Sequence, residues 1–321
     1  MPFLDVYGRT HELDAKSIDT IAARLEARRG SAKYIGMLQE YLAIDLAAAK
    51  NILVLGCGTG VEVREVLRGP DFRGRVTAID ISADLVERGK GLAEQEGVAD
   101  RIDWLVGDAQ ELRLSDGAFD LVLAHTLVSH VPDPKRVVEQ AARVVRPGGT
   151  VVMFDGDYAT MTFGVDREMD ERIISGIIAN PRVMRAMPRL LREVGLKLVD
   201  SRGWMLTEIG RADFFLGTLQ SLPVLLRKAG VATPGEVQAF VGRQLRASED
   251  GTFFAGYNFY AMIAERPLSC GGLPSAISRC LFRVKTGGRG PLATCTPCVL
   301  RAAEDTLCRL AAPWRPRGRT W

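Results

Sequence analysis

Residues 51–60 have the sequence Asn-Ile-Leu-Val-Leu-Gly-Cys-Gly-Thr-Gly, an apolar run followed by three closely spaced glycines. The run of four apolar residues is too short for a helix, and its isoleucine and valine favour an extended strand. The glycines that follow predict a tight loop, because glycine has no Cβ and lets a ligand approach the backbone closely. Residues 61–67 then read as the first turns of a helix, whose free N–H groups would face that ligand.

A second apolar run, residues 75–80, ends in Asp80, twenty residues after Gly60. An acid at the tip of the second strand of a doubly wound sheet is placed to accept hydrogen bonds from both ribose hydroxyls of a nucleoside. The dinucleotide motif G-x-G-x-x-G/A fits this loop less well, because Val61 directly follows Gly60. The Gly-Lys-Ser/Thr of a phosphate-binding P-loop is also missing from this loop. These residues therefore favour a nucleoside ligand over a dinucleotide.

The glycine loop and Asp80 resemble motif I and the acidic position after it in class I S-adenosylmethionine (SAM)-dependent methyltransferases. The resemblance continues in order to about residue 155, through the three segments Gly107-Asp-Ala, His130-Val-Pro-Asp-Pro and Arg146-Pro-Gly-Gly. It is greatest to the type 11 group, which includes the ubiquinone and menaquinone C-methyltransferases. The resemblance implies an α/β fold with a Rossmann-like, doubly wound, seven-stranded sheet and a helical insertion before the last strand.

The resemblance also implies SAM as the cofactor and a set of residues that bind it. In the family an acid at the position of Asp108 hydrogen-bonds the adenine amino group. We favour this role over the plainer interpretation, a strand-end aspartate that caps a turn. The residues expected to contact the cofactor are Gly56, Cys57, Gly58, Thr59, Gly60, Asp80, Ile81, Asp108, Ala109 and His125.

Three regions follow from the positions of these motifs. We expect residues 1–50 to form a helical cap from two helices, at about 17–28 and 32–48. Tyr7, Arg28 and Tyr34 of this cap could reach the site, although exposure to solvent is the favoured interpretation for Arg28. Residues 51–267 would form the SAM-binding domain, with strand six at 197–206 and strand seven at 252–265. A helical insertion at about 207–250 has apolar residues at helical spacing. That spacing fits either a packed core face or an apolar lid over the substrate, and we expect the insertion to close the pocket as a lid together with residues 1–35.

Methyl transfer from a sulfonium is a one-step displacement, so the protein mainly has to align the nucleophile, the methyl group and the sulfur. We expect no metal and no covalent intermediate. A general base helps where the nucleophile carries a proton, and the candidate catalytic residues are His125, His130, Asp157 and Tyr158. Because relatives with many different substrates share a histidine at the position of His130, a loop-shaping hydrogen bond is the favoured role for it.

Charge and cysteine are unevenly distributed along the 321 residues. Residues 268–321 hold eight Arg and one Lys against Glu304 and Asp305, a net charge of +7. Because the whole chain has a net charge of +3, residues 1–267 have a net charge of −4. An acidic body predicts no nucleic-acid partner. The chain has no apolar stretch of membrane-spanning length and no signal-peptide pattern, which predicts a cytoplasmic protein without a membrane span. Assembly as a homodimer is left open.

Five of the six cysteines lie in the segment 268–321, which is also rich in arginine. A zinc site would use one Cys-x-x-Cys pair with two further cysteines, but the second such pair is absent. A disulfide cluster conflicts with a cytoplasmic location, and the arginines are spread too evenly for a distinct basic arm. We expect a largely disordered extension that the fold and SAM binding do not need. The cysteines are Cys270, Cys280, Cys295, Cys298 and Cys308.

The function that these observations favour is transfer of a methyl group from SAM to carbon, oxygen or nitrogen of a small organic molecule. One alternative is methylation of RNA or protein, which the acidic body disfavours. Another is a SAM-binding regulator or scaffold without turnover, and an NAD-dependent oxidoreductase is the most remote. Fold alone does not identify the substrate.

Overall fold

A mixed sheet of seven strands organises the residues that the structure, a computed structural model, describes: 5–42, 46, 49–69 and 72–268. The order across the sheet is β3-β2-β1-β4-β5-β7-β6. Neighbouring strands from β3 to β5 are parallel, and β7 is antiparallel to both β5 and β6. The predicted fold class is therefore confirmed. The strands are β1 (Asn51–Leu55), β2 (Arg75–Asp80), β3 (Ile102–Val106), β4 (Phe119–His125), β5 (Val145–Phe163), β6 (Lys197–Gly210) and β7 (Phe253–Glu265).

Nine α-helices cover the two faces of this sheet within the described residues. Several begin at side-chain caps that satisfy free N–H groups of the first turn. The Ser82 hydroxyl accepts a hydrogen bond from the Leu85 N–H, and Thr233 and Glu236 form a capping box. The helices are α1 (Ala15–Arg29), α2 (Ala32–Leu42), α3 (Val61–Arg68), α4 (Ala83–Gln95), α5 (Pro134–Val144), α6 (Arg167–Ile177), α7 (Val183–Glu193), α8 (Phe214–Ala229) and α9 (Pro234–Glu249).

Strand β1 shows why the central strands are apolar along their whole length. Ile52 and Val54 point into the core shared with α1, α2, α3 and α8. Leu53 and Leu55 point into the opposite core, which is shared with α5 and α7. Because both faces are covered by helices, no position of the strand interior can be polar without burying an unpaired group.

Strand β6 is longer than the sequence predicts, and β5 is long as well. The Arg146-Pro-Gly-Gly segment is part of β5, which begins at Val145 and has a register irregularity opposite Phe119–Leu121. Strand β6 continues to Gly210, beyond the predicted end at Leu206, because β7 pairs with it as far as Phe253. The additional pairing with β7 is a tertiary effect that the local sequence does not show. It also shortens the helical insertion at its start.

The cap consists of a 3-10 helix, Tyr7–Glu12, followed by α1 and α2. Helix α1 matches the prediction closely, while α2 ends at Leu42, and part of the predicted remainder lies outside the described residues. Arg29 anchors α1 to the domain, because its guanidinium pairs with Glu65 of α3 and with Glu96 after α4. Helix α8 of the insertion packs on α1.

The insertion is built into the core through α8. Phe215, Leu219 and Leu222 of this helix are fully buried, in the same core as Ile52 and Val54 of β1. The interpretation of its apolar spacing as a packed face is therefore correct. The described residues fall in one compact unit that ends at Leu268, so the predictions for the cysteine- and arginine-rich segment lie outside the described residues. No helix in the described ranges is long and apolar enough to cross a membrane.

Candidate functional site

A cavity lies at the carboxyl ends of β1, β2, β3 and β4, beneath the cap, and the space among its lining residues, including the part open to solvent, is about 950 Å³. Most of the residues predicted to bind the cofactor line it. They are Gly56, Cys57, Gly58, Thr59, Asp80, Ile81, Asp108, Ala109 and His125. His130 also lines it, whereas Gly60, Asp157 and Tyr158 are not among the lining residues.

The glycine loop needs its glycines for conformation and for space. Gly56 and Gly58 have φ of +65° and +53°, which other residues rarely adopt. A Cβ on Gly58 would come within 2.8 Å of the Leu25 side chain of α1, so the cap lies directly against the loop. Gly60 instead faces Trp104, and its role is to start α3. The loop and the cap together close one wall of the cavity.

Asp80 holds the loop in place with its own carboxylate. One oxygen accepts from the Gly58 N–H at 2.8 Å, and the other accepts from the Ser82 N–H at 2.9 Å. Burial raises the pKa of this carboxyl, against the lowering effect of those two hydrogen bonds. A carboxylate oxygen can accept more than one hydrogen bond, so Asp80 keeps acceptor capacity on the cavity side for the hydroxyls of a ligand.

Asp108 is held by Gln110, a residue that the sequence analysis missed. The Gln110 backbone N–H donates to the Asp108 carboxylate at 2.8 Å, and its side-chain amide donates to both oxygens at 3.1 Å. The amide oxygen of Gln110 in turn accepts from the Asp133 N–H, which ties β3 to the loop before α5. Asp108 therefore has the turn-capping contact of the plainer interpretation, and it also lines the cavity.

His125 is buried in a hydrogen-bonded network from the cap. Its Nε2 contacts the Tyr34 hydroxyl and lies 3.2 Å from a carboxylate oxygen of Glu62, while its Nδ1 contacts the Tyr41 hydroxyl. The ring stacks on Phe154 at 4.5 Å. Burial, and then the nearby Arg28, lower the pKa of His125 well below its ordinary value. The imidazole is therefore neutral, and both of its nitrogens are used within the protein.

His130 is oriented by a carboxylate. Its Nδ1 lies 3.0 Å from Asp5, which also accepts from the Gly8 and Ala179 N–H groups. The His130 ring packs at 5.0 Å from Tyr7. These contacts shape the loop, as the sequence analysis favours. The Nε2 atom of His130 has no hydrogen-bond partner among the described residues. The His130 side chain also lines the cavity.

The two candidates on β5 lie in different surroundings. Tyr158 is buried, stacks on Tyr257 at 5.3 Å and lies 6.0 Å from His130, so it is near the site. Asp157 belongs to a separate groove beside α7, where Arg185 donates to it at 2.8 Å. The structure therefore does not bring Asp157 together with the other three candidates. The alternation of side chains along a strand separates it from Tyr158.

Two arginines of α1 are buried close to the site. Arg24 is not predicted there from the sequence, and for Arg28 contact with the site is the less favoured of two interpretations. Arg28, expected to be exposed, is only 8% exposed and lines the cavity. It donates to the Thr126 hydroxyl at 3.3 Å, while its Nε has no partner in the described residues. Arg24, one turn earlier, is 7% exposed. The expectation for Arg28 is wrong because α8 and the glycine loop cover α1 from two sides.

Comparison with known proteins agrees with this geometry. Residues 53–153 match the family described as methyltransferase domain. The chain is 34% identical over 156 residues to 27-O-demethylrifamycin SV methyltransferase of Amycolatopsis mediterranei, covering 48% of this chain and 56% of that protein. It is 27% identical over 231 residues to a 37.1 kDa protein in a transposon of Streptomyces fradiae, covering 70% of this chain and 64% of that protein. The matched segments thus span less than two thirds of these relatives.

Solved structures agree on the fold. The structure of the [4+2]-cyclase SpnF superposes with a TM-score of 0.54 at 18% identity, over 84% of this chain and 99% of that chain. A Bacillus halodurans protein assigned to the methyltransferases has a TM-score of 0.51 at 20% identity, over 72% of this chain and 98% of that chain. The strand order, the glycine loop beneath the cap and the matching family segment lead to one conclusion. Residues 53–153 match a methyltransferase domain, and they lie within a sheet that has the fold of the class I SAM-dependent methyltransferases.

Proposed function

We propose that this protein binds SAM in the cavity beneath the cap and transfers its methyl group to a small organic molecule. The observation that carries this proposal is the convergence of three features on one cavity. The glycine loop, Asp80 and Asp108 follow three neighbouring parallel strands, and all of them line the same space. Ligands of open α/β sheets bind at this edge of the strands.

The residues present fit a cofactor that has a nucleoside at one end and an amino acid at the other. Asp80 offers buried acceptor capacity for the ribose hydroxyls. Asp108, fixed by Gln110, offers an acceptor for the amino group of the base. Arg28 offers an unpartnered buried nitrogen for the carboxylate of the methionine part. When bound, SAM supplies an electrophilic methyl group on a sulfonium, and the protein's own task is to align the acceptor and exclude water.

His130 is the residue best placed to remove a proton from the acceptor. Asp5 orients its Nδ1, and its Nε2 is not used by any described residue. A carboxylate-oriented imidazole is a common general-base arrangement. His125 cannot act in the same way in this arrangement, because both of its nitrogens contact tyrosine hydroxyls. His125 instead connects α2 to the end of β4.

The acceptor is a small molecule with an apolar part. Ile21, Leu25, Leu127 and Val131 line the cavity beside its polar groups, in the pattern of small-ligand sites. Relatives named as methyltransferases of a demethylrifamycin and of tocopherol support this class of acceptor. The net charge of −4 on residues 1–267 supports the absence of a nucleic-acid partner. A cytoplasmic location and a homodimer are part of the same proposal.

Two measurements test the function. Isothermal titration with SAM and with S-adenosylhomocysteine (SAH), its demethylated product, should show binding of both to the wild type. Incubation with SAM and a metabolite extract, read by mass spectrometry, should show SAH formed together with a product that is 14 Da heavier than its acceptor, the mass of an added methylene. SAM binding without any SAH formation would support a non-catalytic regulator instead. Absence of SAM binding would reject the proposal altogether.

A further inference from the structure

The inner face of α1 carries two buried arginines that are unlike the other buried arginine of the domain. Arg64 of α3, which is fully buried, pairs with Glu26 at 2.6 Å and with Glu96 at 3.1 Å. Arg24 and Arg28 form no ion pair with a carboxylate anywhere in the described ranges. A buried cation without an ion-pair partner is costly, so an anion from outside the described chain would stabilise both positions.

The two arginines do not face the same surroundings. Arg28 lies close enough to Glu62 for the two charges to attract each other, and it lines the cavity beside the glycine loop. It is the arginine that the proposed function assigns to the carboxylate of SAM. Arg24 has only hydroxyl partners, Tyr7 and, at 3.5 Å, Thr218 of α8. Burial and the charge of Arg28 lower the pKa of Arg24 to about 10, which reflects this lack of compensation.

Arg24 contacts a residue that lines the cavity, although it is not itself a lining residue. Its guanidinium packs over the ring of Tyr7, which lines the cavity, with 5.1 Å between the guanidinium carbon and the ring centroid. Tyr158 and Tyr257 are close enough to interact with it electrostatically. These rings stack on each other and would form the walls of an aromatic pocket. The arginine thus sits between the cofactor cavity and a group of aromatic side chains.

We propose that the acceptor carries an anionic group, a carboxylate or a phosphate, and that Arg24 binds it. This inference rests on the proposed function, since it specifies the acceptor of the same site. The methyl-accepting atom would lie on the cavity side of that anion, within an apolar or aromatic body. A purely structural tie between Tyr7 and Thr218 is the competing explanation. A neutral amide could make that tie without the cost of burying a charge.

The experiment uses three probes of the same shape: benzoate, phenyl phosphate and neutral benzamide. Each is titrated calorimetrically into the full-length protein, with and without saturating SAH. The variants are Arg24→Gln, which can keep hydrogen bonds to Tyr7 and Thr218, and Arg24→Lys, which keeps the charge. The matched control is Arg227→Gln, which removes an exposed arginine of α8.

We expect at least one of the two anions to bind the wild type about tenfold more tightly than benzamide. Arg24→Gln should abolish that preference, while Arg24→Lys and Arg227→Gln should retain most of it. Whichever anion binds more tightly distinguishes a carboxylate from a phosphate. The SAH affinity of each variant reports whether the variant has folded. If no Arg24 variant folds, the preference of the wild type for the anions over benzamide is the test of the inference.

Equal binding of benzamide and the anions, no binding of either anion, or an unchanged preference in a folded Arg24→Gln protein would each overturn the inference. These outcomes are separate from failure of the proposed function. The proposed function fails if the wild type does not bind SAM or SAH, and the titrations without SAH still test Arg24 in that case.

Discussion

The Nε2 atom of His125 is hydrogen-bonded to the hydroxyl of Tyr34, a residue 91 positions earlier in the chain. Tyr34 belongs to α2 of the cap, and His125 ends β4 at the cavity. The contact therefore joins the cap to the edge of the sheet where the cofactor is proposed to bind. Burial raises the pKa of the Tyr34 hydroxyl and lowers that of His125, so both partners are neutral near pH 7.

The buried His125 should make stability depend on pH. Its pKa is lowered on folding, from an ordinary value of about 6.5, so the unfolded chain binds a proton that the folded protein does not. Above about pH 6.5 His125 is neutral in both states and the folded protein keeps its full stability. As the pH falls below that value, protonation of His125 in the unfolded chain lowers the free energy of unfolding. His125→Gln should reduce the slope of unfolding free energy against pH by up to about 1.4 kcal/mol per unit below that pH. Urea denaturation between about pH 5 and 7.5 measures it.

Buried carboxyls with raised pKa values, such as Glu62 and Asp155, contribute slopes of the opposite sign. The relevant quantity is therefore the difference between the wild type and the variant, not the slope of either alone. His11→Gln, at an exposed position of the cap, serves as the control for removal of a histidine. An identical slope in His125→Gln and in the wild type would contradict the prediction.

Asp80→Ala should weaken SAM binding by about 1.5–3 kcal/mol, because it removes a charged acceptor for the ribose hydroxyls. It also removes the acceptor of the Gly58 N–H, which helps to hold the loop. Isothermal titration with SAH gives the affinity. Asp84→Ala, at an exposed position two residues into the helix that follows Ser82, is the control and should bind normally. Unchanged affinity in a folded Asp80→Ala protein would remove Asp80 from the site.

His130→Gln should lower kcat by about 10²- to 10⁴-fold, the range for loss of a general base. The affinity for SAM should stay within about twofold, since the proposed contacts of the cofactor lie elsewhere. Asp5→Asn should have a smaller effect on kcat, because it weakens the orientation of the ring without removing it. Single-turnover rates at several pH values provide the measurement. Equal rates for His130→Gln and the wild type would restrict His130 to the loop-shaping role.

Leu222→Ala should destabilise the protein by about 2–5 kcal/mol, the range for truncating a fully buried leucine. Leu222 lies on the face of α8 that packs into the core beneath the sheet. Leu216→Ala, two turns earlier and 36% exposed, is the control and should cost much less. Chemical denaturation compares the two. A small loss for Leu222→Ala would indicate that α8 can move away from the core as a lid.

Much of the fold follows from local sequence. Strands β1, β2 and β4 are apolar runs because both of their faces are buried, and the glycine loop fixes the helix that follows β1. The ends of β5 and β6 could not be predicted, since they depend on how far β7 pairs with each of them. Pairing partners more than 40 positions apart leave no local pattern.

Some residues of the candidate site could be predicted from the sequence, and others could not. Residues at the ends of the parallel strands, such as Asp80 and Asp108, are placed by strand length and so could be predicted. Arg24 and Arg28 could not, because the helical pattern of α1 does not show that α8 covers its other side. The partners of His125 were missed in part for the same reason. Tyr41 reaches it from α2, and Glu62 lies in the first turn of α3.

The position of β7 between β5 and β6 has a consequence for synthesis of the chain. During translation β6 leaves the ribosome well before β7, with residues 211–252 between them. Until Phe253–Glu265 emerges, β6 has no neighbour in the sheet and the outer edge of β5 stays open. An open edge of this length is a template for pairing with other chains. Ribosome-bound chains that stop before Phe253 should therefore recruit chaperones, and those that extend well past Glu265 should release them.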